Sequence, residues 1–280
     1  MRVTSNGVAL STAPSAMRTS RLDDPQALRE NFRRDGYVLL RQVLDRDTVI
    51  GLRGAYFGMF DPSYLAKETT PQQGIWSGEA PAGLPPHGHP GHPAHAFVRS
   101  KVFADFVQDQ RLLAVAQTLF DGAETMRLPR QIVRHFHQGP RASRAHTDFD
   151  YLDRGSDQVL TMWIPIGDCP VPTGGIAYLE GSHRLPKAQL QLLKNRRTDR
   201  PDDPRPISHD LGWTQQELGG RWLCADFAAG DVAIHSPHLV HATFDTTTSS
   251  MRMSADIRFV PIDVEPDPRW LRPWSGDDGN

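Results

Sequence analysis

Cysteine is scarce in this chain. Cys169 and Cys224 are the only two among 280 residues, too few for a disulfide framework, so a reducing cytoplasm fits best. Long hydrophobic runs are missing as well. No stretch approaches the roughly 18 apolar residues of a membrane-crossing helix. Lysine numbers four against 27 arginines, a bias of the kind a GC-rich genome produces. There is no surplus of positive charge; the net value of −2 argues against the basic face that binds nucleic acid. Acids are absent from residues 1–22, which are rich in Ser, Thr and Arg. That segment has no apolar core of a secretory leader and only superficially resembles a transit peptide, so a disordered tail is expected there.

An apolar content of 38% is enough for a core, and 23 Pro with 23 Gly imply many turns. A single domain is expected over 23–280. Its first part, 23–122, reads as mainly helical. Asp24, an early proline and Gly36 bracket one helix, Tyr37–Leu40 is a short strand, and a second helix starts at Asp45. SKVFADFVQDQRLLAVAQTLFDG has helical spacing throughout. From 126 to 262 the period switches to two. Strands are expected at 130–136, 146–152, 158–166, 175–181, 221–227, 231–236, 241–244 and 251–260. Short strands separated by Gly/Pro turns indicate an all-β barrel or sandwich with flanking helices. Residues 61–98 are irregular, and 187–220 form a polar, Pro-rich insertion.

Against that layout, three groups of residues carry chemistry. His146 and Asp148 lie two apart, so on a strand both project from one face and reach one metal. His241 arrives about a hundred residues later. Two histidines and one carboxylate with open positions remaining is the ligand set of non-haem Fe(II) oxygenases. Arg252 supplies a fixed cation for the far carboxylate of a 2-oxo acid. One His-x-Asp among 12 histidines is weak evidence, and the combination is more specific. Arg252, Ser254, Asp256 and Arg258 share one face of an alternating strand, which suits the wall of a polar pocket.

The segments FRRDGYVLLRQVLDRDTVIGLR, HTD, LTMWIPIGDCPVPTGGIAYLEGSHR and GDVAIHSPHLVHATF together resemble the phytanoyl-CoA dioxygenase family over about 26–260. The resemblance implies a double-stranded β-helix (jelly-roll, cupin-like) core, with Fe(II), 2-oxoglutarate and dioxygen as reactants. It implies His146, Asp148 and His241 as metal ligands and Arg252 with the Thr243 hydroxyl on 2-oxoglutarate. His183, His235 and His238 are then structural or support the ligands. Gly174-Gly175 stands where the family often has Asn-Gly. Asp148 argues against halogenation, since the family's halogenating relatives lack that carboxylate.

Arg130, Arg134, His135, Asp150 and Tyr151 flank the ligand strand and are candidates for the substrate side, while Trp163 suits the core. Such groups point to a polar small molecule, hydroxylated or oxidatively ring-closed in natural-product tailoring, with a carbohydrate-containing substrate suggested by the resemblance. His87, His89, His92 and His95 invite a zinc reading, but their Gly/Pro spacers give no rigid geometry and no cysteine contributes. A lid over the iron, 61–98, is the better expectation. The rivals are a non-catalytic cupin-like binding protein and a nucleic-acid- or protein-directed oxygenase. Arg252 and Arg258, six apart, echo the nucleic-acid type, but this chain lacks its basic face.

Overall fold

The computed structural model describes residues 3–197, 199 and 204–275. Four two-residue strands open it: β1 (Thr4–Ser5), β2 (Val8–Ala9), β3 (Ser15–Ala16) and β4 (Thr19–Ser20). Helix α1 (Pro25–Asp35) is started by Asp24, which accepts from the Ala27 N–H, and is stopped by Gly36. Gly36 sits at φ 75°, a conformation that costs glycine little and so ends helices cleanly. Strand β5 (Tyr37–Leu40) and helix α2 (Arg46–Phe57) follow, the latter capped by Asp45 on the Thr48 N–H.

After α3 (Pro93–Phe97), the long helical pattern proves to be two helices, α4 (Lys101–Val107) and α5 (Gln110–Leu119). The break falls at Asp109, whose carboxylate accepts from the Arg111 N–H and starts a new helix. Apolar spacing runs on through such a cap, so periodicity alone does not show it.

The β-rich part comprises β6 (Thr125–Arg127), β7 (Ile132–Phe136), β8 (Leu160–Pro165) and β9 (Ile176–Leu179). Helices α6 (Lys187–Arg196) and α7 (Leu211–Leu218) interrupt it within the insertion. It resumes with β10 (Trp222–Cys224), β11 (Val232–His235), β12 (His241–Thr243) and β13 (Arg252–Pro261). The larger sheet runs β4-β5-β11-β8-β13-β6, with β7 also paired to β13, and the smaller runs β12-β9-β10-β3. The two make a jelly-roll core that is mainly β with helices outside it, and they do not close into a barrel.

Strand β13 organises this core. All ten of its residues are buried. Met253, Ala255, Ile257 and Phe259 join the main apolar cluster with Leu28, Tyr56 and Phe103, each full-size side chain there contributing about 1.5–3 kcal/mol by burial. Arg252, Ser254, Asp256 and Arg258, which alternate with them, face the cavity described below.

Residues 3–22 do not form the loose tail expected from composition over 1–22, whose first two residues lie outside the described ones. From residue 3 onward the chain is built into the fold. Strand β3 pairs in parallel with β10 and β4 with β5, and Val3 and Met17 are buried. Each adds to one sheet through backbone hydrogen bonds, which need no apolar pattern to announce them.

Candidate active site

His146 and His241 face each other across one antiparallel bridge. The His146 N–H donates to the His241 carbonyl at 3.0 Å and the His241 N–H to the His146 carbonyl at 2.9 Å. Their ring centroids stand 4.2 Å apart. Asp148 reaches the same point differently from the way its spacing suggested. Residues 146–152 are not a strand: beyond the bridge at His146 the chain turns into a 3-10 helix over Asp148–Tyr151. Thr147 explains the turn, since its hydroxyl donates to the Asp150 carboxylate at 2.6 Å, a local bond that competes with sheet pairing.

One ligand atom each from His146, Asp148 and His241 lies within 4.8 Å of the others. The Nδ1 of His146 stands 2.6 Å from the Arg144 carbonyl and that of His241 3.0 Å from the Leu239 carbonyl. With Nδ1 as the donor, Nε2 carries the lone pair that a metal needs. Burial lowers the pKa of both imidazoles. The Asp148 charge partly opposes it at His146, and at His241 the neighbouring His146 and His235 add to it. Neutral imidazoles are the ligating form.

Burial pulls Asp148 the opposite way, towards protonation, but the Arg258 guanidinium together with the His235 and His241 rings outweighs it and holds the carboxyl well below its usual range. Its Oδ2 accepts from the Thr161 hydroxyl at 2.5 Å and from Arg258 Nη2 at 3.0 Å. His235 Nε2 lies 3.5 Å from the same oxygen, while Oδ1 faces His241 Nε2 at 3.6 Å. Two neutral nitrogens and one oriented carboxylate oxygen therefore fit a divalent transition metal.

These groups open on a cavity of about 590 Å³. Arg252 lines it, fully buried, with Nη1 donating to the Ser254 hydroxyl at 2.7 Å and the guanidinium 4.2 Å from the Phe136 ring. Burial lowers its pKa to about 10, so it stays charged at neutral pH. Thr243 also lines the cavity, its Oγ1 accepting the Ser143 N–H at 2.7 Å. That acceptance leaves the hydroxyl proton for a ligand oxygen.

The flanking candidates divide. Arg134, paired with Asp256, and Tyr151 line the cavity. Arg130 does not: it is buried with Nε on the Arg269 carbonyl, beneath Trp270. Asp150 is likewise outside the lining, engaged by Thr147 and by Lys194. His135 sits on the opposite face of β7 from Arg134, between the Tyr56 and Tyr64 hydroxyls at 2.7 and 2.8 Å. One residue of register separates cavity from core there.

Among the described residues, none of 61–98 lines the cavity. His92 and His95 are buried, and His87, His92 and His135 pack together on the helical side of β7. The cavity is walled by residues 140–144, Arg205, His209, Trp270 and Asn6. Asn6 was missed because it lies in the expected tail, and Trp270 because it falls beyond the resemblance. Thr161 carried no signal beyond strand position, whereas His235, which the resemblance implied to be structural or to support the ligands, stands beside Asp148.

The family profile described as phytanoyl-CoA dioxygenase (PhyH) matches residues 32–254. A 1-deoxypentalenic acid 11-beta-hydroxylase of Streptomyces arenae is 28% identical over 272 residues, spanning 91% of this chain and 88% of that protein. Among solved structures, the α-ketoglutarate-dependent epimerase SnoN from nogalamycin biosynthesis aligns at a TM-score of 0.59 with 22% identity, over 88% of this chain and 87% of its own. The carbocyclase SnoK from the same biosynthesis aligns at 0.58 with 19% identity, over 92% and 90%. These two structural likenesses bear on the fold.

Proposed function

The chain belongs to the phytanoyl-CoA dioxygenase family and is a non-haem Fe(II)/2-oxoglutarate-dependent oxygenase; from that premise we propose that it oxidises an unactivated C–H bond of a polar small molecule in natural-product tailoring. His146, Asp148 and His241 hold the iron. Arg252 and the Thr243 hydroxyl bind the distal carboxylate of 2-oxoglutarate. The observation that carries this reading is the pairing of His146 with His241 across one bridge, beside an Asp148 whose outer oxygen is already engaged.

When bound, iron and 2-oxoglutarate supply dioxygen activation and the oxidising power. The chain's own residues bind, orient and shield. The carbonyls of Arg144 and Leu239 fix the two imidazole rings. Arg252, held by Ser254 and Phe136, offers a preset charge, so little ordering cost remains when a carboxylate arrives. Buried Ile176 and Trp163 line the cavity and exclude water, which strengthens each polar contact there.

A tailoring role is supported by the hydroxylase relative and by structural neighbours from antibiotic biosynthesis. Hydroxylation and oxidative ring closure need the same site and differ in substrate pose. A carbohydrate-bearing natural product suits the hydrogen-bonding groups Arg134, Tyr151, Arg205 and His209 on the wall. No helix among the described residues is long and apolar enough to cross a membrane.

The test is anaerobic titration of the Fe(II)-loaded protein with 2-oxoglutarate, watched by its metal-to-ligand charge-transfer band. The parent gives a saturable band, and Arg252→Ala requires at least about tenfold more 2-oxoglutarate through loss of a charge-assisted contact. Absence of any band at saturation would sink the assignment.

A further inference from the structure

Resting on that reading of the site, we propose that Arg258 recognises a carboxylate on the substrate, distinct from both carboxylates of 2-oxoglutarate, the distal one of which is at Arg252. Both arginines project from the same face of β13 into one cavity. Six residues of extended strand put their Cα atoms on the order of 20 Å apart. Their surroundings differ accordingly. Arg252 stands with Ser254 and Phe136, whereas Arg258 stands with Asp148, at the metal, and with Trp270.

The Arg258 side chain is 4% exposed and held at two points. Nη2 donates to Asp148, and the guanidinium lies 4.1 Å from the centroid of the Trp270 ring. Two of its three nitrogens, Nε and Nη1, have no hydrogen-bond partner. Buried N–H donors without a partner each cost about 1–3 kcal/mol, more on a charged group. A counter-ion for Asp148 needs only one nitrogen of the three. The remaining donors call for an acceptor that arrives with a ligand. A planar, donor-only, permanently charged fork matches a carboxylate best. Ile132 and Trp270 line the same cavity, so the substrate class is an acid whose carboxylate adjoins an apolar portion, with Arg134, Arg205 and His209 on the same wall for its polar groups.

The experiment uses the Ni(II)-loaded full chain, with 2-oxoglutarate saturating so that Arg252 is occupied. Titrations of 4-fluorobenzoate and of neutral 4-fluorobenzamide are followed by ¹⁹F NMR. The parent binds the acid at least about tenfold more tightly than the amide, the size expected of one charge-assisted contact. Arg258→Gln abolishes that preference and Arg258→Lys keeps part of it, so the pair remains informative if the glutamine variant folds poorly. Each variant is first brought to saturation of its own Fe(II)/2-oxoglutarate band, since Arg258 also holds Asp148 and its loss raises the iron concentration needed.

Equal preference in parent and Arg258→Gln overturns the proposal, as does a parent that binds neither probe or does not distinguish them. Loss of the band in both variants also overturns it, because Arg258 would then act only through Asp148. A parent without the band indicts the iron assignment instead, so the two failures are separable.

Discussion

Two clusters of histidines occupy opposite sides of β7, and among the described residues only the first brings three possible ligand atoms together around one point. His146 and His241 stand with a carboxylate, their Nδ1 atoms on carbonyls and their Nε2 atoms free. His87, His92, His95 and His135 stand among the rings of Tyr56, Tyr64, Phe60 and Trp274. Both nitrogens of His135 meet tyrosine hydroxyls. His87 Nε2 is on the Val133 carbonyl, and His92 Nδ1 accepts the Ala94 N–H. Histidine number does not make a metal site. Uncommitted lone pairs and one oriented anion do.

The sharpest break in that contrast is Asp148→Ala. It removes the anion from the first cluster and leaves Arg258 buried and unpaired. Iron affinity falls at least about 100-fold, beyond the range seen on losing a supporting residue. Stability falls by about 3–5 kcal/mol, as when one partner of a buried ion pair is deleted. Metal titration and urea unfolding measure the two effects, and retained iron binding would refute the ligand assignment.

His135→Phe is the complementary change. It strands the Tyr56 and Tyr64 hydroxyls in the core, costing about 2–4 kcal/mol, yet the charge-transfer band and its 2-oxoglutarate midpoint stay where they are. A shifted midpoint would mean that the two sides of β7 are coupled, and the comparison would fail.

Proton uptake separates the clusters further. Burial pushes His87 down to about 3 and His92 to about 4. The unfolded chain, with histidines near 6.5, therefore binds more protons than the folded one between those values. Stability must then fall as pH drops from about 6.5 towards 4. Urea midpoints at pH 7, 6 and 5 test the slope. His92→Asn removes one titrating ring while keeping an acceptor able to cap the Ala94 N–H, so its stability curve is flatter with pH.

How much of this was legible in the sequence follows from the range of the signal. The alternation of Arg252 to Phe259 was readable because period two belongs to the strand itself, and the ligand types at 146, 148 and 241 were readable because chemistry dictates them. The route by which Asp148 reaches the site was not, since a Thr147–Asp150 bond decides it. The run HGHPGHPAH was the most conspicuous histidine pattern, and it serves packing. Arg134 and His135 differ by a single residue of register, and composition cannot say which faces the cavity. Asn6, Arg205 and Trp270 reach the wall from distant segments, so no local pattern marks them.

The smallest change tests the subtlest part of the contrast, the orientation of the carboxylate. Thr161→Val keeps the shape of a fully buried residue and deletes one donor to Asp148 Oδ2, leaving Arg258 on that oxygen. If an anion merely near two histidines sufficed, affinity for Ni(II) would not change. If the anion must be held with Oδ1 towards His241, losing one of its anchors lets the carboxylate rotate, and affinity drops about tenfold, the lower end for residues supporting a ligand. The stability cost stays near 1 kcal/mol, the net worth of one hydrogen bond. Calorimetric Ni(II) titration of parent and variant resolves a tenfold difference. An unchanged constant would move the distinction between the clusters from orientation to mere proximity of charge.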